Sequence, residues 1–180
     1  MGLRNNPGGR ILLTMIEVRV AVPADARAVA RLHARAWRSA YRGLIDRDYL
    51  DGLTPEALVR RYTFGRVGLR VPSTLVAIDG SAVRGFATTG LSDLPNLGEL
   101  MALYVDPACL GSGVGSTLVA AARGRLRAAG VTDAVLWVLD ANARARRFYA
   151  RDGWRPDGAC RTVAFGNTEA RQVRYRRALT

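Results

Sequence analysis

Apolar and polar positions change period several times along the chain, and each change marks an element. Glu17 to Val22 alternates as a strand does, and Pro23-Ala24-Asp25 then opens a helix whose Val29, Leu32 and Trp37 recur at helical spacing. A second helix is predicted at Thr54-Pro55-Glu56, with Thr54 as N-cap and Pro55 in the first helical position. Leu75 to Asp79 and Val83 to Leu91 are apolar runs parted by Asp79-Gly80-Ser81, the pattern of a hairpin. Further on, Glu99 to Val105 is a strand stopped by Asp106-Pro107. After a glycine-rich turn, Val114, Leu118, Ala122 and Leu126 step by four along a helix that Gly130 closes. Ala134 to Leu139 is wholly apolar, as buried strands are, and Asp140 or Asn142 caps a helix running to Asp152-Gly153. Trp154 and a last strand, Gln172 to Arg176, complete the pattern. Residues 1–15, with Asn5-Asn6-Pro7-Gly8-Gly9, carry no periodicity and read as a flexible extension. Residues 16–180 read as one mixed α/β domain.

Composition narrows the class. At 180 residues, 49% apolar and 23% charged, the chain can bury a core without staples. Its longest early apolar run, Ile11 to Ile16, is interrupted by Thr14 and stopped by Glu17 and Arg19, too short for a membrane span or a signal sequence. Two cysteines, Cys109 and Cys160, and one histidine, His33, do not make a disulfide framework or a zinc site. A cytoplasmic protein without a structural metal or a membrane is expected. The net charge of +12 comes from arginine alone, because the chain has no lysine. Those arginines are scattered over every predicted helix. A nucleic-acid footprint clusters on one face, so nucleic acid is not the expected partner.

The candidate chemistry lies in the strand, glycine turn and helix start around Gly111-Ser112-Gly113-Val114-Gly115. The first turn of a helix has unpaired N–H groups and the positive end of the peptide dipole, and glycines let a phosphate approach the backbone. A Walker loop would need a lysine before Ser116, and a dinucleotide fingerprint needs G-x-G-x-x-G where this chain has G-x-G-x-G. Neither fits. Downstream, Asn142 and Tyr149 are seven residues apart, which at about 100° per residue puts them on one helical face with Ala145 between. Such a face either lines a groove or packs the helix onto a sheet.

Together these residues resemble the GNAT superfamily of N-acetyltransferases, which bind acetyl-coenzyme A through a Q/R-x-x-G-x-G/A loop. Leu110 to Gly115 occupies that frame, with leucine where the family usually has Gln or Arg, and Leu103-Tyr104-Val105-Asp106-Pro107 resembles the preceding strand and turn. Asn142, Ala145, Phe148 and Tyr149 match the family pattern N-x-x-A-x-x-F-Y without a gap. The resemblance, which covers about residues 17–179, implies a single domain of α+β type. Its central sheet would be mixed and mostly antiparallel, with about six to seven strands flanked by about four helices.

It also implies roles. Acetyl-CoA is the implied cosubstrate, bound by Leu103, Tyr104, Val105, Gly111, Ser112, Gly113, Val114, Gly115, Ser116 and Asn142. Tyr149 resembles the tyrosine that gives a proton to the departing sulfur, with Phe148 left to the core. Glu99 resembles a glutamate that removes the ammonium proton directly or through water, and otherwise is a strand-edge carboxylate. The first two helices usually wall the acceptor site, where Trp37, Tyr41, Arg42 and Tyr49 are available. Trp37 on a helical face equally suits the core, and His33 reads as a surface or packing residue. Cys109 reads as a small loop residue, and Asp93 is a second candidate for the acceptor's amine. The expected reaction is direct attack by a small-molecule primary amine on the thioester, in a monomer or homodimer. The alternatives are a peptide or protein N-terminal acetyltransferase and a non-catalytic CoA-sensing or RNA-associated module.

Overall fold

The computed structural model describes residues 16–65 and 72–179; the expected extension, residues 1–15, lies outside them. Seven strands form one sheet: β1 (Glu17–Val20), β2 (Ser73–Asp79), β3 (Ala82–Leu91), β4 (Leu97–Val105), β5 (Asp133–Leu139), β6 (Arg155–Phe165) and β7 (Thr168–Ala178). They are ordered β1-β2-β3-β4-β5-β7-β6. Every pairing is antiparallel except β4 with β5. The helices are α1 (Ala26–Ala40), α2 (Arg47–Gly52), α3 (Pro55–Val59), α4 (Val114–Ala128) and α5 (Ala143–Arg151).

Strand alternation builds two cores. From β2, Leu75 and Ala77 face α4 while Val76 faces α1; from β3, Ala87 and Phe86 divide the same way. Beneath α4 lie Val114, Leu118, Ala122 and Leu126, the positions stepping by four, all buried against Leu100, Ala134, Leu136 and Trp154. Gly98 lets α4 sit close, since a Cβ there would fall 2.8 Å from Leu126 and 3.0 Å from Val131. On the other face α1 packs Val29, Leu32 and Ala36 on the sheet, while Ala30 and Ala34 meet Ile45, Leu50, Leu58, Leu139 and Phe165.

The expected elements are present, with local differences. Pro23–Asp25 is a 3-10 turn ahead of α1, tied down by Asp25, which accepts from the Val22 N–H at 2.8 Å and pairs with Arg19 at 2.7 Å. Thr54 caps α3, accepting from the Ala57 N–H. Of the two candidates for the cap of α5, Asn142 takes the role, while Asp140 pairs with Arg146. The sequence pattern did not show β6 or α2. Most of β6 is exposed, so it carries little apolar alternation, and it is held by its ladder with β7. Among the described residues five α-helices stand where about four were expected.

Candidate functional site

The site begins as a fault in the sheet. β4 and β5 run parallel and pair only at Leu97–Asp133, Gly98–Ala134 and Glu99–Val135. Just beyond, Thr88 pairs with Ala102 but Thr89 with Leu100, so Met101 is an extra residue in β4. A bulge of this kind bends its strand. The far half of β4 stays with β3, through Phe86–Tyr104 and Gly85–Val105, while β5 continues along β7. The β4 edge from Leu100 to Val105 therefore faces β5 without a strand partner, and alternate backbone groups along it are unclaimed by the sheet. Between the strands opens a groove of about 670 Å³, walled by β4, the loop after it, Trp137 and Val138 of β5, and α5.

At one end of the groove the loop presents backbone. Asp106 accepts from the Ala108 N–H at 3.1 Å and pairs with Arg35 at 2.6 Å, which fixes the 3-10 turn Pro107–Cys109. Gly113 is the N-cap of α4 at φ 93°, and no side chain caps this helix. The N–H groups of Val114, Gly115 and Ser116 belong to the first turn and have no acceptor within the helix. Around Gly111 and Gly113 a Cβ would meet nothing within 4 Å, so the approach to these amides is open. The side chain of Val114 is buried in the core, so only its backbone can serve the groove. The Ser112 hydroxyl donates back to the Cys109 carbonyl. Cys109 is buried and Leu110 exposed.

The opposite wall is α5. Asn142 lines the groove, but its Oδ1 accepts from the Ala145 N–H at 3.1 Å, so this oxygen is engaged in capping the helix. Two turns on, Tyr149 also lines the groove, packed edge-on against Phe148 and Trp154 with centroids 5.3 and 6.4 Å away. Burial pushes its phenol well above the ordinary range, and the nearby Tyr41 phenol adds to this. Tyr41 and Tyr104 share a hydrogen bond at 3.3 Å, and burial raises both.

His33 lies behind them as a packing residue. Its ring stacks on Tyr104 at 5.0 Å, Nδ1 shares a hydrogen bond with the Tyr62 hydroxyl, and Nε2 is buried without a partner. Burial and then Arg61 lower its pKa to about 4, so it is neutral at pH 7. Trp37 does not line the groove; it packs edge-on against Tyr41 and Phe165, with Tyr49 beside it. Arg42 lies apart, with Arg38 and Arg47 around a smaller surface pocket.

Glu99 is half-buried and is not part of the groove wall. By alternation it shares the α1 side of the sheet with Val135 and Trp137. Burial raises its pKa, Arg161 opposes the rise, and Asp93 adds to it. The sequence pattern did not single out Met101 or Trp137: a bulge has no signature in a single strand, and a tryptophan in an apolar run reads as core. Trp137 carries the Arg161 guanidinium over its ring at 4.2 Å and that of Arg174 at 5.6 Å.

This arrangement can be set against known proteins. The chain is 29% identical over 146 residues to a probable N-acetyltransferase of Mycobacterium tuberculosis, covering 79% of this chain and 82% of the relative. It shares its fold with the PaiA N-acetyltransferase of Thermoplasma acidophilum, solved in complex with coenzyme A, at TM-score 0.70 and 18% identity over 91% of this chain and 99% of that one. The ribosomal-protein-S18-alanine N-acetyltransferase of Escherichia coli has the same fold at TM-score 0.68 and 16% identity, over 92% and 95% of the two chains. Residues 37–154, which hold the splayed strands, the glycine loop and both walls of the groove, match the family model described as the acetyltransferase (GNAT) family, and the chain belongs to that family.

Proposed function

We propose that the chain transfers the acetyl group of acetyl-CoA to the primary amine of a small molecule. The observation that carries this reading is the splay of β4 from β5, which puts an unpaired strand edge, the amides opening α4 and the Tyr149 side chain along one groove. The residues fit such a cosubstrate. The pyrophosphate would meet the N–H groups of Val114 to Ser116 and the open backbone at Gly111 and Gly113. The amide-bearing pantetheine arm would complete the missing pairing of Leu100 to Val105. Arg144 and Arg151 on the α5 side add positive charge. Leu110 supplies no polar group, so the backbone does this work.

When bound, acetyl-CoA supplies an activated acyl carbon and a thiolate leaving group. The acceptor must attack as a neutral amine: its nitrogen forms the new bond to the acyl carbon as the carbon–sulfur bond breaks. The proton lost by the nitrogen passes to Glu99, directly or through water, and the sulfur takes a proton from Tyr149. The buried Tyr149 phenol keeps its proton at neutral pH, as a donor must. Backbone N–H groups on the free β4 edge are the candidates to stabilise charge developing on the acyl oxygen.

Calorimetry with acetyl-CoA and a thiol-release screen over amines and peptides test this reading. Binding with release of free CoA only in the presence of a small amine is the expected result. Preference for peptide N-termini would move the acceptor class, and no binding at millimolar acetyl-CoA would overturn the reading.

A further inference from the structure

On the α1 side of the sheet, beside the groove, β6 and β7 bring several arginines together, and their charges are not equally engaged. Arg174 pairs with Asp157 at 2.7 Å and Arg176 with Asp133 at 3.1 Å. Arg161, on β6, has no carboxylate within 4 Å among the described residues. It is nevertheless held in place. Its Nε donates to the Gln172 side-chain oxygen at 2.7 Å, and its guanidinium plane rests on Trp137 at 4.2 Å. Among the described residues, those two contacts leave the terminal N–H groups of an oriented, exposed guanidinium free. Trp137 itself lines the groove, and Glu99 shares its side of the sheet, one alternation step back along the paired strands.

A carboxylate and an unpaired guanidinium on one face beside the groove form a two-pole surface. Glu99 attracts a cationic amine. Arg161, which presents a planar fork of donors, matches a carboxylate or similar oxyanion. From this juxtaposition we infer that Arg161, oriented by Gln172 and Trp137, is an anion subsite for the acceptor, whose class is a small amine that also carries a carboxylate, as amino acids do. This rests on the acetyltransfer reading above. It adds a specificity-determining residue outside the groove wall. The scattered charge of the chain had concealed it, because 27 arginines give no hint in sequence of which are ion-paired and which are oriented beside the groove.

The test compares acceptors matched in shape, with phenylalanine against phenylalaninamide and phenethylamine, and 4-aminobutyrate against butylamine. Acetylation is followed by thiol release in the parent chain, Arg161→Gln and Arg161→Lys. Acetyl-CoA binding is measured by calorimetry on the same preparations, and far-UV circular dichroism confirms that the variants are folded. The parent is expected to favour the carboxylated member of a pair. Arg161→Gln should lower kcat/KM for that member roughly 10–100-fold, the worth of a hydrogen bond to a charged group. The same change should leave the neutral member and acetyl-CoA binding near parent values, and Arg161→Lys should restore part of the preference.

Equal use of charged and neutral members, or an equal loss for both in Arg161→Gln, overturns the subsite. So does a protein that binds acetyl-CoA but acetylates no carboxylated amine in the panel. Failure to bind acetyl-CoA at all would instead overturn the acetyltransfer reading on which the subsite rests.

Discussion

The hydroxyls of Tyr41 and Tyr104 lie 3.3 Å apart, joining the C-terminal cap of α1 to the half of β4 that has lost β5 as a neighbour. A strand edge released from its sheet needs another anchor to hold its direction. Here the anchor is aromatic: Tyr104 stacks on His33 and meets Phe86 at 5.5 Å and Trp37 at 6.1 Å. Tyr149 lines the same groove as this phenol pair, and buried phenols close together each disfavour ionisation of the others.

Tyr149→Phe should keep acetyl-CoA binding and lower the chemical rate about 100-fold or more, the usual worth of a positioned acid. The ring and its packing on Phe148 and Trp154 survive the change; only the donor is lost. Because burial raises the phenol's pKa, the parent should show no loss of activity from Tyr149 ionisation between neutral pH and about pH 10. Steady-state rates across that range, with binding measured in parallel, check both points.

Glu99 must be deprotonated to take a proton, and burial raises its pKa. The acid limb of the pH profile should therefore lie above the position expected for a free glutamate. In Glu99→Gln that limb should move or disappear, with a lower plateau rate. A profile of kcat/KM against pH for both proteins decides the matter, and coincident acid limbs would assign the proton to another group.

In the loop, Gly113→Val should weaken acetyl-CoA binding far more than Leu110→Ala. A Cβ at Gly113 meets no protein atom, but φ 93° is strained for any L side chain and the added methyls would occupy the approach to the α4 amides. Leu110 offers only an exposed apolar side chain. Titration calorimetry gives both affinities, and the reverse order would remove the loop as the phosphate site.

His33 makes stability depend on pH. Its folded pKa of about 4 lies below the ordinary value of 6.5, so the unfolded chain binds more protons between those limits. The contribution of the neutral ring is complete above about pH 6.5 and is lost as pH falls toward 4. It amounts to about 2 kcal/mol between pH 7 and pH 5. Urea unfolding at several pH values should show this decline in the parent and a shallower one in His33→Gln.

The periodicity of the chain was enough to locate most of the architecture. Val114, Leu118, Ala122 and Leu126 bury one face of α4 because four-residue steps stay on one side of a helix, and the glycine loop ahead of it is set by local dihedrals that few other residues adopt. The spacing of Asn142 and Tyr149 is likewise a property of one helix, and both side chains line the groove. Relations between distant segments were decided only in three dimensions. The Met101 bulge exists by comparison of two strands, β6 is a strand because β7 pairs with it, and the capping duty of Asn142 depends on where α5 begins. The aromatic nest around His33 draws on α1, β3, β4 and Tyr62, and the free charge of Arg161 follows from which carboxylates lie near its neighbours. Backbone propensity and side-chain period act over a few residues and are written in order along the chain. Strand register, burial and ion pairing join residues tens of positions apart, and these are settled only when the sheet closes around its core.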